Sequence, residues 1–268
     1  MRGEFVDLSG ERLYCFAAGT RGEGDPVLFV HGFPTSSHLW QPLLPILPGG
    51  FRSLVVDLLG YGRSDRPLDA DYSITAHARR LHALLEELGV PRVTIVAHDF
   101  GALVAESLAR AHPTRVGRLL LVSPPALRRW PTFAQRSAAR TAPLWRALPS
   151  SVIASQLHVA LLRGYFDREQ GRHSLDAFLR PFASTGGARL LAAHTAVQRP
   201  GFTGPLTLPI ALLGGRRDPW CTTADLEATA ARLGGATIDR VDHARHFVPE
   251  EAPERLGRAL VTLQLRDR

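Results

Sequence analysis

The stretch Arg92-Val93-Thr94-Ile95-Val96-Ala97-His98-Asp99-Phe100-Gly101-Ala102-Leu103 constrains this 268-residue chain more than any other. Its apolar, β-branched first half reads as a buried strand, and Ala102 to Ala111 reads as a helix. The polar pair His98-Asp99 therefore falls on a very tight strand-to-helix turn that projects one side chain outward. Small residues must flank that side chain because the backbone passes close to its neighbours, and Ala97 and Gly101 hold those positions. This is the geometry of a nucleophile elbow with Asp99 at the reactive place. An ordinary connection with a solvated or capping aspartate would look the same locally, so the rest of the chain must decide.

On either side of that turn, short apolar runs alternate with helical patterns. Val27-Leu28-Phe29-Val30, Ser53-Leu54-Val55-Val56, Val116 to Val122, Ile210-Ala211-Leu212-Leu213 and about Thr237 to Val241 read as strands. Ile74 to Leu88, capped by Gly89, and about Thr222 to Leu233 read as helices, and the alternation argues for parallel pairing with right-handed crossovers. Phe5 to Leu8 and Leu13 to Ala17 read as an opening hairpin. Pro42 and Pro45 make His38 to Ile46 a short or broken helix. From Pro124 to about Gly204 the pattern is helical with no convincing strand, too long for an ordinary connection. The expected architecture is an α/β core of residues 1–123 and 205–268, built on a mostly parallel sheet flanked by helices, with a helical cap inserted at 124–204.

Composition removes several function classes. The net charge is +7 and the sequence pI about 10.5, yet the chain contains no lysine and its arginines are scattered, with no basic stripe interleaved with aromatics. Nucleic-acid binding is therefore not expected. Arg128, Arg129, Arg136, Arg140 and Arg146 form the one local concentration, which reads as a solvated helical face. No apolar run spans a bilayer and the N-terminus shows no signal-peptide core, so no membrane partner and a cytoplasmic location are expected. Cys15 and Cys221 are the only cysteines, too few for a disulfide framework, and neither is placed like a nucleophile.

Several loops follow the strands on the side where an open sheet binds ligands. After Val30 comes His31-Gly32-Phe33-Pro34, where proline opens the option of a cis bond after Phe33. The Phe33 amide could face the elbow, and the Phe100 amide sits at a helix N-terminus, so both are candidate oxyanion donors. Asp218, in Gly214-Gly215-Arg216-Arg217-Asp218-Pro219-Trp220, is a candidate orienting acid. Gly62-Arg63-Ser64-Asp65 resembles a serine motif but has neither the closing glycine nor a following apolar helix, which leaves Ser64 a poor nucleophile.

Taken in order, His31-Gly32-Phe33-Pro34, Asp57 to Asp65, His98-Asp99-Phe100-Gly101, Asp218 and His246-Phe247-Val248-Pro249 with Glu251-Ala252-Pro253-Glu254 resemble the α/β-hydrolase superfamily across almost the whole chain. A nucleophilic Asp is similar to the branch that contains epoxide hydrolases and haloalkane or haloacetate dehalogenases. The resemblance implies that Asp99 displaces a leaving group from sp³ carbon to form an alkyl-enzyme ester, and that water activated by His246 cleaves it. Asp218 would then hold the imidazole, with the Phe33 and Phe100 amides on the oxyanion. His243 competes for the role of base but lies off the family position. An Asp nucleophile on a carboxylic ester would give an anhydride, which disfavours esterase chemistry.

The leaving group is harder to read. Family epoxide hydrolases use cap tyrosines as donors, and Tyr165 is the only tyrosine in the expected cap. Haloalkane dehalogenases commonly carry Trp after the nucleophile and haloacetate dehalogenases Arg, whereas this chain has Phe100, whose ring cannot donate. Trp130 and Trp145 are candidate cap donors, and His31 and His98 occupy family positions concerned with loop hydrogen bonding and pocket shape. Ser123-Pro124-Pro125-Ala126 offers no alternative acid after the preceding strand. The expectation is a small, largely apolar substrate, with epoxide opening first and dehalogenation second. A ligand-binding protein reusing the fold is the alternative from another class. No metal or organic cofactor is implied, and a homodimer is left open.

Overall fold

In the computed structural model, the residues described are 3–19, 24–127, 130–131, 136–137, 140–141, 144, 148–195 and 200–265. The apolar runs become strands β1 (Glu4–Leu8), β2 (Glu11–Ala18), β3 (Val27–Val30), β4 (Ser53–Val56), β5 (Val93–His98), β6 (Val116–Val122), β7 (Ile210–Gly215) and β8 (Thr237–Val241). They form one sheet in the order β1-β2-β4-β3-β5-β6-β7-β8. β1 and β2 pair antiparallel, as does β2 with β4, and every pairing from β4 through β8 is parallel. β3, β4 and β5 are buried along their whole length. Helices cover both faces of such a sheet, which is why these strands read as unbroken apolar runs rather than as alternations.

The strand order also decides where a site can form. From β3 the chain crosses outward to β4, then returns past β3 to β5, so the connections after β3 and β5 diverge to opposite sides. A crevice opens at such a switch point, beyond the carboxyl ends of the strands. Residues 31–34 and the elbow at Asp99 flank it.

Helices α1 (Ile74–Glu87) and α2 (Phe100–Ala111) follow β4 and β5 and pack on each other. The sequence pattern starts the second helix at Ala102, but it begins at Phe100, because the turn at Asp99 is completed by one residue with φ 45° and ψ −123°. Gly101 is required in this turn: a Cβ there would be driven into the carbonyl oxygen of His31 and would lie 2.7 Å from that of Val30. Pro42 and Pro45 break the helix expected at 38–46 into two short 3-10 turns, Ser37–Trp40 and Leu44–Ile46.

Between β6 and β7 the described residues contain helices and no strand: α3 (Ser150–Leu161), α4 (Arg168–Ala183) and α5 (Gly187–Thr195). The Asp167 side chain caps α4 by accepting the Glu169 and Gln170 N–H groups. Its buried face, including Leu175, Phe178 and Phe182, turns toward the core, and Phe178 meets the His38 ring edge-on at 5.7 Å. After β7 come α6 (Thr223–Leu233), opened by a Thr222/Asp225 capping box, then α7 (Val248–Glu251) and α8 (Pro253–Gln264) beyond β8. Among the described residues no helix is long and apolar enough to cross a membrane.

Candidate active site

Asp99 leaves β5 in a conformation that costs a residue with a Cβ about 1–3 kcal/mol, held by hydrogen bonds from its N–H to Val122 O and from Ala102 N–H to its carbonyl. Its carboxylate is thereby aimed into the crevice. The Phe33 N–H donates to Asp99 Oδ2 at 3.3 Å, and the Phe100 N–H also reaches the carboxylate. Burial pushes the Asp99 carboxyl above its ordinary range, while the neighbouring His246 and the two amides pull the other way without cancelling it. Both amides expected at an oxyanion thus converge on this carboxylate. The Phe33-Pro34 bond is cis.

Asp218 follows β7 and His246 follows β8, which brings both to the same edge of the crevice. Asp218 Oδ1 accepts the N–H groups of Trp220 and Cys221 at 2.8 and 3.0 Å, and Oδ2 accepts His246 Nδ1–H at 2.9 Å. This fixes the imidazole tautomer and directs Nε2 toward Asp99, 3.8 Å from Oδ1. Burial works to lower the His246 pKa, but the charge and hydrogen bond of Asp218, joined by the charge of Asp99, hold it above 6.5. Burial would raise Asp218, yet His246 and the two N–H donors keep it below its ordinary value.

Two further histidines brace the loops. His31 Nε2 accepts the Leu58 N–H at 3.0 Å, so Nδ1 carries the proton and donates to Gly32 O at 2.9 Å. His98 Nε2–H donates to the His246 carbonyl at 3.0 Å and ties the elbow to the histidine loop. Burial lowers the pKa of both, that of His98 to about 3, so each remains a neutral strut between backbone segments. His243 is exposed, its ring edge-on to Phe166 at 6.0 Å, whereas His246 is buried at the site. Ser64 is fully engaged, donating to Asp57 O and accepting the Tyr14 N–H.

Tyr165 departs from the expectation that it serves as a donor to substrate. Its side chain is completely buried, its ring stacks on Phe247 at 4.1 Å, and its hydroxyl donates to Glu250 Oε2 at 2.6 Å. That bond takes the proton a leaving group would need. Trp130 is buried beside Phe100, with ring centroids 6.3 Å apart, and its indole N–H has no hydrogen-bond partner among the described residues. Trp145 lies outside the described residues, as do Arg128, Arg129 and Arg146.

Two residues that sequence reading left aside border the crevice. Tyr61 is held between Gly60 and Gly62, both with positive φ, in the loop after β4. Its ring lies edge-on to His31 at 5.0 Å and to Phe33 at 6.4 Å. The Tyr61 hydroxyl has no hydrogen bond to a described residue; burial, then the charge of Asp99, pushes its pKa well above the ordinary phenol value. Its place after a strand's carboxyl end was a usable signal. His194, on α5, meets Tyr61 at 4.4 Å and Tyr72 at 4.3 Å; its Nδ1–H donates to Leu190 O, and its buried Nε2 has no partner among the described residues. Helical periodicity carried no hint of that placement.

Residues 25–253 match the family model of the alpha/beta hydrolase fold. A haloalkane dehalogenase of Sphingobium indicum is 29% identical, with 96% of this chain and 93% of that protein aligned. One from Mycobacterium marinum is also 29% identical, over 90% of this chain and 85% of the relative. Among solved structures, the epoxide hydrolase CorEH superposes with a TM-score of 0.82 at 21% identity, covering 100% of this chain and 99% of that one. An alpha/beta hydrolase fold protein from Burkholderia ambifaria gives 0.80 at 25% identity, covering 97% and 100%.

Proposed function

The chain belongs to the α/β-hydrolase family, and from that premise we propose that it hydrolyses epoxides to diols through an ester on Asp99. The observation that carries this reading is the alignment of Asp218, His246 and Asp99. One imidazole nitrogen is bound to an acid at 2.9 Å and the other stands 3.8 Å from a carboxylate oxygen. Asp99 Oδ2, held by the Phe33 amide, becomes the ester carbonyl oxygen. Oδ1 forms the bond to the epoxide carbon as the C–O bond breaks and its electron pair passes to the ring oxygen. Water then adds to the ester carbonyl carbon while His246 Nε2 takes its proton, and collapse of the oxyanion breaks the ester C–O bond as the imidazolium returns that proton to the departing oxygen, releasing the diol.

The free carboxylate and the ester treat His246 differently. The charge of Asp99 helps raise the His246 pKa. Ester formation removes that charge and so favours the neutral imidazole at the step where it acts as base. Phe33, Phe100, Phe182 and Trp130 suit a small, largely apolar substrate, and residues 124–204 serve as its cap. Tyr61 supports an oxygen leaving group, because its phenol borders the crevice beside Phe33, within the field of the Asp99 charge, and can donate to the opening ring. Trp130 favours a second reading, halide displacement, because its buried indole N–H beside Phe100 suits a departing anion.

Intact-protein mass spectrometry of His246→Phe, exposed to panels of epoxides and alkyl halides, tests both. Without the base the ester accumulates, at the mass of the whole epoxide or of the halide less hydrogen halide. Tyr61→Phe in that background should slow labelling by epoxides roughly 10²-fold and leave halide labelling unchanged. If no electrophile labels Asp99 in folded, ligand-binding protein, the hydrolase reading fails.

A further inference from the structure

We infer that Tyr165 and Glu250 form a clasp through which the inserted helices position His246 for ester hydrolysis; the inference rests on the reading above. Residues 163–170 grip the histidine loop on both sides. The His246 N–H donates to Gly164 O at 2.9 Å, so the base hangs by its own backbone from the inserted segment. A side chain at position 164 would prevent this approach: its Cβ would lie 2.5 Å from the Trp220 ring and 2.8 Å from that of Phe247. Trp220 in turn stands edge-on to the His246 ring at 4.8 Å.

The contacts continue on either side of Gly164. Tyr165 stacks on Phe247, the residue after the base, with the rings 17° apart, and its hydroxyl reaches Glu250 Oε2. Gln170 Nε2–H donates to Glu250 O at 3.0 Å. Glu251 accepts the Phe166 N–H with one oxygen and the Arg245 N–H with the other, at 2.8 Å, while Arg245 Nη1–H donates to Arg163 O at 2.9 Å. Carboxylates at 250 and 251 thus join each flank of His246 to the same short segment. The Tyr165–Glu250 bond is the buried member of the set and fixes the stacked ring.

This arrangement separates the two chemical steps. Asp99 attacks as an anion and needs no proton taken from it, whereas ester hydrolysis passes through Nε2 of His246. Loosening the clasp should therefore slow hydrolysis and spare alkylation. General packing damage would slow both. Tyr165 and Glu250 are positioning residues in this scheme, since neither touches the reacting atoms.

The test pairs single-turnover kinetics with NMR of the His246 imidazole. Tyr165→Phe removes one oxygen and keeps the stacked ring, and Glu250→Gln keeps an acceptor for the hydroxyl. With an epoxide that labels Asp99 in His246→Phe, Tyr165→Phe should alkylate within about twofold of the parent and hydrolyse the ester roughly tenfold more slowly or worse. Glu250→Gln should hydrolyse at close to the parent rate. The His246 pKa should fall in Tyr165→Phe, as the imidazole slackens from Asp218, and stay in place in Glu250→Gln. Equal slowing of both steps, or a Glu250→Gln defect matching that of Tyr165→Phe, would overturn the clasp. The NMR titration needs no turnover, so an unchanged His246 pKa in Tyr165→Phe refutes the clasp even if no epoxide labels Asp99, a failure that counts against the hydrolase reading alone.

Discussion

Replacing Glu250 with Gln should make the protein more stable in alkaline solution and leave it unchanged in acid. Glu250 is 6% exposed, and burial pushes its carboxyl from the ordinary 4.5 up to about 7, against hydrogen bonds from Tyr165 and Ser174 that favour the charged form. Between those two pH values the folded chain holds a proton that the unfolded chain has released. Stability contributed by this group therefore falls as pH rises from 4.5 to 7, and the loss is complete above the folded pKa. The span converts to roughly 3 kcal/mol, at about 1.4 kcal/mol per pH unit. Gln mimics the protonated acid: its carbonyl accepts from Tyr165 and its amide can donate to Ser174. Urea denaturation at pH 4.5 and 8.5 measures the difference directly. Glu250→Gln should match the parent at pH 4.5 and exceed it by roughly 3 kcal/mol at pH 8.5. Parallel stability profiles for the two proteins would show that Glu250 is ionised at no unusual cost and would refute the reasoning.

Asp218→Asn should hold His246 in the wrong tautomer and slow ester hydrolysis by about 10⁴-fold, read as accumulation of the Asp99 adduct in the intact mass. The rate of ester hydrolysis should fall as pH drops through the His246 pKa, because only the neutral imidazole accepts the proton. The acid limb of that single-turnover profile should lie below the His246 pKa measured by NMR in the free protein, since the ester lacks the charge of Asp99. Gly101→Ala should cost about 3 kcal/mol or abolish folding, measured by thermal denaturation, because the new methyl meets the backbone carbonyls of Val30 and His31.

Much of this architecture could be read from the chain because the physics that sets it is local. β3, β4 and β5 are buried on both faces, so each announces itself as an apolar run, and Ala97 and Gly101 mark the elbow by their size. The helical pattern starts α2 two residues late because the positive φ of Asp99 leaves no trace in helical periodicity. The sequence leaves Tyr165 only a candidate donor because its partner lies 85 residues away, and no pattern near position 165 reveals Glu250. The same limit applies to His194, whose neighbours Tyr61 and Tyr72 come from the loops between β4 and α1. Asp218 is legible from its position after β7, where the topology collects loops, whereas His246 is marked only by its resemblance to the family position; the structure brings the two side chains to 2.9 Å across 28 residues.

The distance between His246 and Asp99 explains why an acid suits this elbow. A hydroxyl nucleophile must lose its proton as it attacks, so its base has to sit within hydrogen-bond reach, about 2.6–3.2 Å. Here Nε2 stands 3.8 Å from Oδ1, beyond that range. A carboxylate needs no such contact because it is already ionised, and a longer gap weakens the ion pair that would otherwise quench its nucleophilicity. In the proposed mechanism, once the charge on Asp99 has been spent in an ester, Nε2 is free to take the proton of a water that adds to the carboxyl carbon. The Phe33 and Phe100 amides hold the carboxylate, and in the proposed mechanism the same two donors would hold the oxyanion after water adds. A serine at position 99 would leave the amides without a charge to hold and would have to pass its proton to His246 as it attacks. Asp99→Ser should therefore fail to gain esterase activity, although the fold and the other two members of the constellation remain in place.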